Sequence, residues 1–105
     1  MERRKYFTIH EFKETLSSTR VYRERKKEVR EYTYIVSGAK YIGDWNGGFR
    51  HGHGVMKWPD GAIYEGDWKD NHAHGKGKFT HAVGDIYEGE WVRDKASGKG
   101  IYKSA

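Results

Sequence analysis

Cysteine is absent from the 105 residues, which excludes a disulfide framework and any thiolate metal site and fits a reducing compartment. Apolar residues are scarce: 35% of the chain is hydrophobic against 33% charged, and the mean hydropathy is -1.03. No apolar run is long enough to cross a membrane, and the basic start Met1-Glu2-Arg3-Arg4-Lys5 is not followed by the apolar segment of a secretory signal. These absences predict a protein of the cytosolic side. Proline occurs once, in Pro59-Asp60-Gly61, a run with turn chemistry. What the chain does have is 15% aromatic residues and 14 glycines, a composition that points to a folded domain, because disordered chains are poor in aromatics. A chain of this length makes one small domain with little surface to bury.

Charge and glycine divide the sequence in opposite ways. Through Arg30 there are ten Lys or Arg against five Asp or Glu; from Glu31 onward there are ten of each. The whole basic excess of +5 therefore lies in the first third. All glycines fall between Gly38 and Gly100, and all four tryptophans fall in the same region.

That region repeats with a period of 23. Tyr41, Tyr64 and Tyr87 recur at this spacing, as do Gly43, Gly66 and Gly89, and Trp45, Trp68 and Trp91. Three further glycine series, led by Gly38, Gly52 and Gly54, keep the same step, so a repeat architecture follows. In Tyr41-Ile42-Gly43-Asp44-Trp45 the Tyr, Gly and Trp alternate, which puts them on one face of an extended strand. The other face carries Ile42 and Asp44, and in later units Glu65 and Asp67, or Glu88 and Glu90. Gly52-His53-Gly54-Val55-Met56-Lys57-Trp58 reads as the return strand after a loop at Asn46-Gly47-Gly48-Phe49-Arg50, giving one hairpin per repeat.

Glycine weakens a strand by about 0.5 to 1 kcal/mol, so the paired glycines need a reason. Close approach supplies it: with no Cβ, a Tyr or Trp ring can lie flat over the backbone. Each buried ring contributes about 1.5 to 3 kcal/mol of transfer free energy. Stacked hairpins then make a continuous aromatic stripe in which each unit is stabilised by its neighbours.

Tyr64-Glu65-Gly66-Asp67-Trp68, His74-Gly75-Lys76-Gly77 and the 23-residue period resemble the membrane occupation and recognition nexus, or MORN, repeat, a Tyr-x-Gly-x-Trp element followed by His-Gly-x-Gly. The resemblance covers about residues 38 to 103 as three repeats, the third carrying Ser97 where the others have His51 and His74. It implies a mostly β fold: a single-layer, elongated antiparallel sheet of successive hairpins, with the stripe Tyr41, Trp45, Trp58, Tyr64, Trp68, Phe79, Tyr87, Trp91 and Tyr102 lining a partner-binding groove. It also implies company: MORN-containing proteins include radial-spoke-head subunits of the axoneme, junctional membrane proteins and segments of lipid kinases and of a histone methyltransferase.

Three regions are expected, with residues 38–105 the repeats. Residues 18–37 read as a degenerate capping hairpin, because a shift of 23 places Tyr22 on Trp45, Tyr32 on Val55 and Ile35 on Trp58, with a turn near Arg25-Lys26-Lys27. A charged helix over 19–31 is the competing reading. Residues 1–17 form a basic extension with a short helix at about 9–16, started by the capping box Thr8-Ile9-His10-Glu11 and amphipathic through Ile9, Phe12 and Leu16.

No catalytic residue, metal site or cofactor emerges. His51, His53, His72, His74 and His81 recur, but a zinc site needs three or four convergent ligands. Alternating Glu65, Asp67, Glu88 and Glu90 read as a solvated face, and Gly75-Lys76-Gly77-Lys78 lacks the rest of a phosphate loop. Function is therefore expected in docking: a non-enzymatic adaptor holding protein partners in a ciliary, axonemal or other cytoskeletal assembly, through the groove, the open terminal strand and the basic arm. That strand also suits a homodimer. The alternative is a membrane-tethering module for acidic phosphoinositides, with Arg3, Arg4, Lys5, Arg20, Arg23, Arg25, Lys26, Lys27 and Arg30 as the contacts. Nucleic acid is disfavoured, because the aromatic stripe lies in the charge-neutral region. The cytoplasm, with cytoskeleton or cilium, is the expected location.

Overall fold

A computed structural model describes residues 5–19 and 27–105. One helix, α1 (Ile9–Thr19), precedes seven strands: β1 (Lys27–Thr33), β2 (Lys40–Asn46), β3 (Phe49–Lys57), β4 (Ile63–Lys69), β5 (His72–Thr80), β6 (Ile86–Val92) and β7 (Lys95–Lys103). The strands lie side by side in chain order as one antiparallel sheet, in a body of 42 × 26 × 24 Å. The mostly β, single-sheet architecture is the expected one.

Each repeat is a hairpin closed by two residues. Asp70 and Asn71, at φ 46° and 75°, and Arg93 and Asp94, at 45° and 69°, have the left-handed pair of a turn whose twist matches the flanking strands. The return strands start earlier than the glycine pattern indicates, at Phe49 and not Gly52, because so short a turn leaves no loop to span. A register shift recurs between Gly43 and Trp45, Gly66 and Trp68, and Gly89 and Trp91, and such bulges bend and twist a ribbon. The two glycines of each return strand have separate reasons. A Cβ built at Gly54, Gly77 or Gly100 would fall on the ring of Tyr41, Tyr64 or Tyr87, well inside contact distance. Gly52, Gly75 and Gly98 instead adopt positive φ of 98°, 106° and 63°.

The amino-terminal third departs from expectation in three places. Helix α1 runs to Thr19, three residues past the expected end, so Ser18 and Thr19 are helical and not part of a capping hairpin. The capping box forms in both directions: Thr8 N donates to Glu11 Oε1 (3.1 Å) and Glu11 N to Thr8 Oγ1 (3.3 Å). The packed face is different, however. Ile9 is 59% exposed, while Glu11 and Thr15 are buried, because Phe7, ahead of the helix, takes the apolar site.

Residues 20–26, with most of the expected turn at 25–27, lie outside the described residues. From Lys27 the chain is extended, not helical, and β1 pairs with β2 from Lys27↔Asn46 to Thr33↔Lys40. The offset to the first full repeat is 24, not 23: Tyr32 sits opposite Tyr41 as Met56 sits opposite Tyr64. The reason is the next loop. Tyr34 N donates to Ala39 O (2.8 Å) where Trp58 N donates to Ala62 O (2.9 Å), so the first loop holds one extra residue. Tyr34, 1% exposed, therefore takes the place of Trp58, and Ile35 points to solvent at 84%.

Candidate functional site

The ring face of the sheet is a groove built by the joint between repeats. Each tyrosine lies over the second glycine of its own return strand, its hydroxyl donating to the carbonyl of Asp44 (2.7 Å) or Asp67 (2.8 Å). Each tryptophan then closes the next repeat onto that tyrosine. Trp68 meets Tyr41 edge-on at 5.2 Å and Trp91 meets Tyr64 at 5.1 Å. Their indoles donate to Gly54 O (3.2 Å) and Gly77 O (3.1 Å). Trp45 repeats the bond on Arg30 O at 2.9 Å, so a non-glycine residue serves there as acceptor.

On the opposite face the carboxylates brace backbone. Asp44, Asp67 and Glu90 accept from the amides of His53 (3.0 Å), Lys76 (3.1 Å) and Lys99 (2.9 Å). Lys78 of β5 stands between Glu65 of β4 and Glu88 of β6, and Lys76 faces Glu90.

The groove is not empty. Residues 5–15 of the same chain lie across it. Phe7, 7% exposed and at φ 53°, sets its ring among Trp58, Tyr64, Trp68, Phe79 and Trp91 at centroid distances of 5.0 to 6.2 Å. Tyr6 packs on Trp58 at 5.0 Å and Phe79 at 5.2 Å, and its hydroxyl donates to the Asp60 carboxylate. Desolvation, then that hydrogen bond, push the Tyr6 phenol up to about 12; the same bond holds Asp60 below its ordinary value. The buried Glu11 accepts from the Trp58 indole at 3.1 Å, so a carboxylate ties the helix to the ring face.

A buried polar node fixes the far side of the helix. Arg50 donates from Nε to Asn71 Oδ1 (2.6 Å) and from a terminal nitrogen to Asn71 O (2.8 Å). Its guanidinium lies 4.6 Å from the Trp68 ring and 5.4 Å from the Tyr34 ring. The Asn71 amide in turn donates to Thr15 Oγ1 and to Phe12 O (3.4 Å). A buried guanidinium needs such partners, because an unpaired one costs several kcal/mol. Glu14 completes the tether, accepting from the amides of Ile35 (2.8 Å) and Val36 (3.2 Å) and from the Tyr32 hydroxyl (3.1 Å).

The expected stripe thus splits in two. Tyr41, Trp45, Trp58, Tyr64, Trp68 and Trp91 are buried, while Phe79 and Tyr87 are half-buried and Tyr102 is 62% exposed. Within the stripe, accessibility rises towards the third repeat. Burial raises the phenols of Tyr34, Tyr41 and Tyr64 well above the ordinary value.

Of the expected basic contacts, Arg3, Arg4, Arg20, Arg23, Arg25 and Lys26 lie outside the described residues, and of Lys27 only the backbone is described. Lys5 is exposed. Arg30 is engaged, with its guanidinium 4.1 Å from the Trp45 ring and bonded to Glu28 and to Gly47 O at 2.9 Å. The histidines act locally: His51 Nδ1 accepts from Asp70 N (3.1 Å) and His72 Nδ1 pairs with Asp94 Oδ2 (2.8 Å). Among the described residues no three His, Asp or Glu converge as a metal site.

Sequence reasoning missed Phe7, Glu11 and the Arg50–Asn71 node. Signals existed. Phe7 and Phe12 occupy the two positions of a hydrophobic staple around the capping box. Arg50 and Asn71 stand where the other repeats have Ala73 and Ala96, or Gly48 and Asp94, so each breaks its own series.

A single ribbon of hairpins, with its rings on one side and its carboxylates bracing backbone amides or facing lysines on the other, defines a β-repeat protein. The MORN repeat profile matches residues 41–63, 64–86 and 87–105, and the chain belongs to that family. The MORN repeat is a structural and interaction module, for protein or membrane contact, and not an enzyme family. No curated protein matches the chain.

Proposed function

We propose that this protein is a non-enzymatic adaptor whose MORN sheet docks a protein partner within a larger assembly. The observation that carries this reading is the occupied groove. The ring face holds a peptide segment by an aromatic plug at Phe7, a carboxylate under an indole at Glu11, and an asparagine clamp at Asn71. A surface that binds a bent-then-helical peptide in this way has the chemistry of a protein-interaction groove, and its outer part, at Tyr87 and Tyr102, remains accessible. A ciliary, axonemal or cytoskeletal setting is the one the family resemblance suggests.

Cross-linking mass spectrometry on native extract tests the reading. The expected result is reproducible cross-links from Lys95, Lys99 or Lys103 to one co-purifying protein. A partnerless monomer in extract, or flotation with phosphoinositide vesicles in place of protein capture, would count against it.

A further inference from the structure

The joint between repeats is made twice within the three repeats, and its receiving half is present a third time on β7. At β3|β4 and β5|β6 a return strand offers a glycine carbonyl, a tyrosine lying over that glycine, and the backbone of Arg50 or Ala73. The incoming strand answers with an indole N–H, a ring edge, and a turn residue whose amide donates to Arg50 O or Ala73 O, both at 2.9 Å. On β7 the corresponding groups are Gly100 O, Tyr87 over Gly100, and Ala96. Among the described residues no strand pairs with the outer edge of β7, and no indole reaches Gly100. Among the described residues Tyr87 consequently has one ring partner, Trp91 at 5.6 Å, where Tyr41 and Tyr64 have two tryptophans each, and it is half-buried where they are fully buried.

Charge narrows the occupant. The basic return strand β5 is flanked on both sides by acidic strands, Glu65 and Asp67 on β4 and Glu88 and Glu90 on β6. β7 carries Lys95, Lys99 and Lys103 and no acid, with the acidic β6 on one side only. A second copy pairing β7 with β7 in the antiparallel register centred on Lys99 would set lysine against lysine, which is destabilising across strands, and in any register β7 brings no tryptophan. We infer that the outer edge of β7 binds an extended, acidic, tryptophan-bearing segment of a separate protein by strand addition, with the indole on Gly100 O and an acid opposite Lys99, as Glu90 stands opposite Lys76. This deepens the adaptor reading and rests on it.

The probe is a synthetic peptide with the sequence of residues 62–71, Ala62-Ile63-Tyr64-Glu65-Gly66-Asp67-Trp68-Lys69-Asp70-Asn71, added to the full chain and followed by amide hydrogen exchange and fluorescence anisotropy. The expected result is saturable protection of β7 amides, with affinity falling about tenfold when the peptide tryptophan is replaced by alanine. Affinity should fall about fivefold for the variant Lys95→Gln/Lys99→Gln/Lys103→Gln, and with added salt. These lysines are exposed, so the variant keeps its fold, which circular dichroism checks. The inference is overturned by absence of binding, by protection confined to the groove around Phe7, by affinity indifferent to the tryptophan and the lysines, or by sedimentation as a β7-paired dimer. Co-purification of a native partner that persists with the triple variant would leave the adaptor reading standing and remove only the β7 assignment.

Discussion

At the scale of single residues, the repeat works because a tyrosine ring replaces a side chain that glycine does not have. Tyr64 is wedged between Trp68 at 5.2 Å and Trp91 at 5.1 Å, so it cannot yield to a methyl group at Gly77. Gly77→Ala should destabilise by about 1 to 3 kcal/mol, the usual cost of overpacking. Gly100→Ala should cost less than half as much, because Tyr87 is half-exposed and can swing out; urea midpoints compare the two. The tyrosine hydroxyls separate in the same way. Tyr64→Phe removes a donor from Asp67 O and should cost about 1 kcal/mol. Among the described residues the buried Tyr34 hydroxyl has no hydrogen-bond partner, so Tyr34→Phe should be neutral or stabilising in the same assay; a loss of about 1 kcal/mol or more would show that a partner is bound there.

At the scale of elements, the amino-terminal segment is a separable part. It touches the sheet mainly through its own side chains, with Phe12 O accepting from Asn71 and without strand pairing, and Phe7 is its residue at the centre of the ring cluster. Phe7→Ala should therefore release residues 5–15 while leaving the sheet intact. Circular dichroism would lose the helical contribution of α1, and tryptophan emission would shift to the red as Trp58 and Trp91 meet water. An unchanged emission maximum would sink this view. Proton linkage gives a second handle on the same element. The Tyr6 phenol is raised from 10.0 to about 12, so its share of the docking is whole below pH 10 and is lost as pH rises through 12. Asp60 is lowered from 3.8, so its share is present above that value and lost as pH falls below it. Docking should thus hold from about pH 4 to 10, followed by tryptophan emission, and the Tyr6→Phe variant should lack both flanks.

This element is also where sequence reasoning reached least far. The hairpins were legible because strand alternation and the 23-residue step report the same face, and Tyr-x-Gly-x-Trp states its own geometry once the glycine is read as a place for a ring. The helix start was legible from Thr8 and Glu11. Its packing was not, since a helical wheel ranks Ile9 above Glu11, and only the position of the Trp58 indole makes a buried carboxylate favourable. The register of β1 failed by one residue for a similar reason: the extra residue between Tyr34 and Ala39 changes a loop, which no strand pattern records.

For the whole molecule the governing feature is that, among the described residues, each strand pairs only with its neighbours in sequence, its rings reach no further than the next repeat, and α1 is set against β3. Stability in such a ribbon is a sum of unit and joint terms, so it varies along the chain. The first two repeats have a joint on each side and the segment at Phe7 across their rings. The third has one joint, lacks a tryptophan to close on Tyr87, and ends in a strand whose nine residues are all exposed. Amide exchange at neutral pH should therefore be slowest in β3, β4 and β5 and should accelerate through β6 to β7, in place of one common global rate. Gly77→Ala should lower protection in β6 and β7 more than in β2, because it weakens the joint that connects the last hairpin to the rest. Uniform protection from β2 to β7, unaffected by position, would mean that the sheet opens as a single cooperative unit, and the account of stability by joints would fail with it.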